Sequence, residues 1–308
     1  MPEALRHFFA CSAGVLVSAC GFGLSAANNL PSAQDSAQIE RGRYLTAAAD
    51  CAACHTAAGG APFAGGRAIE TPFGKVIAPN ITPDPETGIG NWSNADFDTA
   101  VRLGRSPHGK WLYPAMPFPY YTQMPQSDVF AIRAYLSTIT PVRHAVHSNQ
   151  LPFPLDIRAG MRLWDALYLH VGPFKSDPSK PAQWNRGAYL VRGPGHCAAC
   201  HTPKSLLGGD VAGKPFWGYS IQGWFAPDIT ASPSLGIGDW TVADVADYLK
   251  SGHNRFAAAS GPMGEEVAES SSRLTDADVE AIAVYLKDQP GPAANARPVA
   301  KQDPAMVA

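Results

Sequence analysis

Apolar residues in this chain fall at helical spacing, in short runs parted by loops. Val242, Val245, Ala246 and Leu249 occupy positions i, i+3, i+4 and i+7, a stripe that faces a core. Thr241 and Asp244 just before them have the spacing of a capping box, and Ser93 and Asp96 set the same start earlier in the chain. A last helix is predicted from Thr275, with Asp278 at its third position and Val279, Ile282 and Leu286 on one face. Its earlier counterpart carries Val129, Ile132 and Leu136, but Pro125 stands where the capping Thr would be. The run from Met161 to Leu169 also has helical spacing, which makes Met161 a core residue.

These elements come twice. Arg41-Gly42-Arg43-Tyr44-Leu45 answers Arg186-Gly187-Ala188-Tyr189-Leu190. Ala78-Pro79-Asn80-Ile81-Thr82 and Gly88-Ile89-Gly90-Asn91-Trp92 recur as Ala226-Pro227-Asp228-Ile229-Thr230 and Gly236-Ile237-Gly238-Asp239-Trp240. One domain is used twice, over 38–142 and 181–290. Residues 143–180 are expected to pack as a linker that would fix their separation, and 291–308 to form a flexible tail.

The 308 residues suit about two domains. With 29 Gly and 28 Pro, long ordered loops are expected. A net charge of −2 favours neither nucleic acid nor an anionic membrane surface. Residues 1–27 read as a secretory signal, with Arg6 and His7 before an apolar run and small residues at Ser25 and Ala26. Val17-Ser18-Ala19-Cys20 also has the form of a lipoprotein signal, in which Cys20 would be lipidated. Either route places the folded part in an oxidising compartment, the periplasm, with a membrane anchor if Cys20 is lipidated or a partner supplies one.

The remaining cysteines carry the chemistry. Cys51-Ala52-Ala53-Cys54-His55 and Cys197-Ala198-Ala199-Cys200-His201 are copies of C-x-x-C-H, in which two thiols bond covalently to haem vinyl groups and the adjacent His binds iron. A structural zinc site needs four donors, and no third or fourth Cys lies near either pair. A thioredoxin-like redox pair needs a βαβ setting, and no strand pattern flanks either copy. With Cys11 and Cys20 in the leader, none is left for a disulfide. Two covalent haem c groups, each wrapped by small helices, give an all-α fold of two tandem domains of the class I cytochrome c type.

Function turns on the sixth iron ligand, because a thioether closes the site whereas an open position permits peroxide chemistry. Met116 follows His55 at almost the distance at which Met263 follows His201, and both sit in Pro- or Gly-rich loops ahead of the last helix of their halves. Met124 aligns with Leu274 and is assigned to packing. Axial pairs of His55 with Met116 and His201 with Met263 are expected. The other histidines read as surface or hydrogen-bonded groups, with His253, ten residues before Met263, the one to watch.

With these residues placed, the chain resembles the cytochrome c subunits of bacterial membrane-associated alcohol, gluconate, fructose and sorbitol dehydrogenases. The likeness rests on Leu112-Tyr113-Pro114-Ala115-Met116-Pro117, on Leu151-Pro152-Phe153-Pro154 with Arg158 and Trp164, on Trp184-Asn185-Arg186-Gly187-Ala188-Tyr189-Leu190, on Gly195-His196-Cys197 through Cys200-His201-Thr202-Pro203, and on Ser260-Gly261-Pro262-Met263. The resemblance implies no catalysis by the chain itself. It implies a donor that is a dehydrogenase catalytic subunit with a flavin, a quinone cofactor or molybdenum, and an acceptor that is a quinone, a cytochrome or an oxidase. Family members typically carry a third haem domain. Only two motifs are present here, which leads to the expectation of a two-haem member without the third domain. The alternative on the ligand reasoning is a dihaem peroxidase-type enzyme.

Overall fold

A computed structural model describes residues 33–292. The expected signal with Cys11 and Cys20, and the tail from 293 with Met306, lie outside the described residues. In the first half α1 (Ala33–Ala48) leads into α2 (Cys51–His55). A hairpin of β1 (Ala68–Thr71) and β2 (Gly74–Ile77) follows, then α3 (Asn94–Leu103), α4 (Phe118–Tyr121) and α5 (Gln126–Leu136). After α6 (Met161–Tyr168) the order repeats as α7 (Ala182–Arg192), α8 (Ala198–His201), β3 (Tyr219–Ile221), β4 (Trp224–Ala226), α9 (Val242–Ser251), α10 (Gly261–Glu269) and α11 (Asp276–Leu286).

The hairpins differ from the all-α expectation. They are antiparallel, with Ala68 opposite Ile77 and Tyr219 opposite Ala226. Strands this short give alternation no room to declare itself. The helix starts agree with the capping patterns: Ser93 and Thr241 each accept from the amide of Asp96 or Asp244, and the carboxylate returns to the cap amide. Thr275 accepts from the amide of Asp278, whereas Pro125 caps α5 with no side-chain bond.

Each half has its own core. Leu45, Phe97, Val101, Met124, Val129, Ile132 and Leu136 form the first, and Leu190, Phe216, Val245, Leu274, Val279, Ile282 and Leu286 the second. Met124 and Leu274 are both buried, as packing residues should be. Helix α1 crosses α5, and α7 crosses α11, at points where only glycine fits. A Cβ on Gly42 would lie 1.9 Å from the carbonyl oxygen of Ala131, and one on Gly187 would lie 1.9 Å from that of Ala281. Charged residues tie the last helix to the loop before α3 or α9 in both halves. Arg133 donates to the carbonyls of Ile89 and Trp92, and Lys287 to those of Ile237 and Gly238.

The halves grip one another through a reciprocal pair of contacts. Arg41 donates to Asp128 within the first half, and Tyr189 of the second half donates to the same carboxylate at 2.5 Å. Arg186 donates to Asp278 within the second half, and Tyr44 of the first half donates to that carboxylate.

The segment expected as a linker is more than a spacer. Gln150 exchanges two backbone bonds of 2.9 Å with Lys75 at the edge of β2. Tyr113 donates to the carbonyl of Leu155, and Arg158 to that of Trp111, so this stretch packs on the loop ahead of Met116. Trp164 on α6 donates at 2.9 Å to the carbonyl of Leu207 in the second half. Leu163 and Leu167 on the same helix are exposed.

Candidate haem sites

The attachment motifs form the short helices α2 and α8. Both are closed at the far end by a glycine amide: Gly65 donates to the His55 carbonyl at 2.7 Å and Gly218 to that of His201 at 2.8 Å. A Cβ at Gly65 would lie 2.4 Å from the Pro79 carbonyl carbon, which accounts for glycine where the loop passes the Ala-Pro segment. Burial pushes the Cys51 thiol up to about 12 and Cys54 to about 11, and raises Cys197 and Cys200 as well.

The repeated Ala-Pro-Asn/Asp-Ile-Thr segment acquires a role. Nδ1 of His55 bonds to the carbonyl of Pro79 at 2.7 Å, and Nδ1 of His201 to that of Pro227 at 2.7 Å. The carbonyl must accept, so Nδ1 carries the proton and Nε2 keeps its lone pair for a metal. Burial lowers the pKa of both rings, against the opposing effect of the carbonyl bond, and so favours the neutral, ligating form. Asn80 and Asp228 hold the proline carbonyls in place by accepting from the amide and hydroxyl of Thr82 and Thr230.

The methionine candidates are placed differently from one another. Met116 lies in a turn ahead of α4 and packs, with Cys51, against the first core. Met263 departs from the loop expected of it and lies in the first turn of α10, where Gly261 and Pro262 begin the helix. Proline is well suited to a helix start because its missing N–H would have no partner there. Met161 is partly buried at the start of α6. His253 is exposed, with Nδ1 bonded to the nearby Ser251 carbonyl. Among the described residues no group of three or more His, Cys, Asp or Glu is arranged to hold a metal ion. Each motif offers two thiols and one imidazole nitrogen, the donor set that haem c takes.

Several residues around the motifs carry no signal in the sequence. Arg67 donates at 2.6 Å to the carbonyl of Ala53 in α2 and at 2.6 Å to Glu265 in α10. Lys204 donates at 2.7 Å to the carbonyl of Ala198 in α8 and reaches Asp210 and Tyr120. Tyr121 donates to the carbonyl of Ala49 at 2.6 Å while its ring meets that of His196, 5.5 Å between centroids, edge to face. Arg67 and Lys204 do not align in the repeat, so the internal comparison that marks the other shared residues passes over them.

Comparison with known proteins agrees with this geometry. The model of the cytochrome c family matches residues 39–140 and 185–290, each containing one motif. The chain belongs to the cytochrome c family. The cofactor of this cytochrome is haem c, covalently bound and two in number. It is 43% identical over 304 residues to a nicotinate dehydrogenase subunit of Pseudomonas putida, a match that covers 96% of this chain and 25% of that protein. It is 41% identical to the fructose dehydrogenase cytochrome subunit of Gluconobacter japonicus, over 88% of this cytochrome and 56% of the relative. A protein named diheme cytochrome c-type from Cereibacter sphaeroides is 36% identical, over 82% of this chain and 86% of its own length. The cytochrome thus spans a quarter and just over half of the first two relatives. Among its described residues no helix is long and apolar enough to cross a membrane.

Proposed function

We propose that the chain is a two-haem electron-transfer subunit that accepts electrons from a dehydrogenase catalytic subunit and passes them to a quinone, a cytochrome or an oxidase at the periplasmic side of the membrane. Haem c supplies a one-electron iron couple at each site. Cys51 and Cys54 hold one group and Cys197 and Cys200 the other, within domains spanning 38–142 and 181–290. Nε2 of His55 and of His201 would each bind a haem iron, with Met116 and Met263 supplying the second protein ligand.

The observation that carries this reading is the identical histidine setting in the two halves: a buried neutral ring, Nδ1 on a proline carbonyl, Nε2 left for iron. Two sites of one type in one chain suit electrons passing between them. A thioether on the far side favours the ferrous state and leaves no position for a substrate, so the chain itself carries out no bond chemistry.

The test is to isolate the protein from membranes with its bound partner and add the partner's substrate. Both haems should be reduced in the wild type. Met116→Ala and Met263→Ala should each convert one haem to a high-spin form of lower potential. Unchanged spectra in either variant would remove that ligand, and no reduction of either haem would remove the donor assignment.

A further inference from the structure

The first turns carrying or following the methionines have no side-chain N-cap, and within its own half α4 is tied by Tyr121 to the Ala49 carbonyl. Ser260 starts α10 without a capping bond, and Pro117 starts α4 without one. Both segments are also reached from the opposite half. Arg67, fixed to the Ala53 carbonyl at the first attachment helix, reaches Glu265, two residues beyond Met263. Lys204, fixed to the Ala198 carbonyl at the second attachment helix, reaches Tyr120, four residues beyond Met116, directly at 3.3 Å and through Asp210, which accepts from both.

We propose that Arg67 and Lys204 are positioning residues for the opposite haem, each holding the attachment helix of its own half against the methionine segment of the other. The inference rests on Met116 and Met263 being the sixth ligands. As a surface ion pair the Arg67–Glu265 contact would add little stability, with Glu265 52% exposed. Its geometry carries more weight. One guanidinium uses two nitrogens for two acceptors on different halves, and its planar fork fixes their relative position. Lys204 is more enclosed, 11% exposed, and does the same with an ammonium. Because the tie runs crosswise, loosening the cation of one half should release the methionine of the other.

The readout is the sulfur-to-iron absorption of the ferric protein, with covalent haem content as the control for assembly. Arg67→Ala should lower that absorption towards one half while two haems remain attached, since one of two thioether ligands is loosened. Adding Met116→Ala to R67A should remove what is left, whereas adding Met263→Ala should lower it no further than Met263→Ala alone. Arg67→Lys should restore much of the signal. Glu265→Ala should reproduce R67A, and Glu265→Gln, which keeps an acceptor, should not. Lys204→Ala should show the mirror pattern, with Met116 released. A full signal in both R67A and E265A, or a loss that falls on the first half's own methionine, would overturn the proposal. If R67A fails to assemble, E265A decides. If Met263→Ala itself leaves the absorption intact, the ligand assignment fails and takes this inference with it; if Met263→Ala lowers it and E265A does not, only the inference fails.

Discussion

The two halves perform the same tasks with aligned residues in some places and unrelated ones in others. The glycine at the helix crossing, the proline carbonyl behind the axial histidine and the tyrosine and aspartate of the grip all align in the repeat. The cation on the attachment helix is Arg67 near the hairpin in one half and Lys204 just after the motif in the other. The cation on the loop before α3 or α9 is Arg133 inside α5 or Lys287 just past the end of α11. Backbone approach and carbonyl direction tolerate no displacement, so those residues stay in register. A charge on a flexible side chain needs only to arrive within reach, so its origin can move. The edges differ too. Gln150 lines the hairpin of the first half, whereas Trp224 and Phe225 on the second are 49% and 37% exposed.

The largest effect should come from the aligned glycines. Gly42→Ala or Gly187→Ala drives a methyl group into a backbone carbonyl, and each should cost at least the ~1–3 kcal/mol of ordinary overpacking. Thermal unfolding and haem incorporation should suffer about equally in both variants; a mild effect in one half alone would break the equivalence.

Next come the reciprocal tyrosines. Asp128 is 1% exposed and Asp278 13%, so Tyr189→Phe should cost about 1.5–3 kcal/mol and Tyr44→Phe about 0.5–1.5 kcal/mol in denaturant unfolding. The second grip also defines a pH window. Burial pushes the Asp278 carboxyl upward, but the bonds from Arg186 and Tyr44 outweigh it, and its pKa is lowered. Burial first, and then the Asp278 bond, raises the Tyr44 hydroxyl. Asp278 thus contributes above its unfolded pKa of about 3.9, an effect lost as pH falls through the folded value. Tyr44 contributes below its unfolded value of about 10, an effect lost as pH rises through the raised one. In Tyr44→Phe the Tyr44 share of the alkaline loss should disappear, leaving that of the other buried tyrosines such as Tyr189.

The smallest effect tests the helix caps. Thr275→Ala should lose about 1 kcal/mol. Pro125→Thr should gain a comparable bond to the Asp128 amide, offset by about 0.4–1 kcal/mol for the lost rigidity of proline. Chemical denaturation curves would show whether the two helix starts become alike.

What is legible in the sequence is what depends on local spacing. Capping boxes at Ser93 and Thr241, the attachment motifs and the repeat are all encoded within a few residues, and the helices begin where those signals stand. Gly261-Pro262 reads as a breaker and so points to a loop at Met263, although proline at a helix start promotes the very element it ends elsewhere. The hairpins escape such a reading because three or four residues carry no usable period. The bridges from Arg67 and Lys204 escape it because each joins positions far apart in the chain, and a lone basic residue looks the same wherever it points.

The crossed tyrosines have one more consequence. A contact in which residue i of one body meets residue j of a second, and j meets i in return, is the mark of an isologous two-fold interface. Tyr44 and Asp128 belong to one half and their counterparts, Tyr189 and Asp278, to the other. Each half therefore owns both members of the pair, and at this grip the surface of one half is complementary to that of the other. The arrangement within this single chain is that of a homodimer whose subunits have been joined end to end.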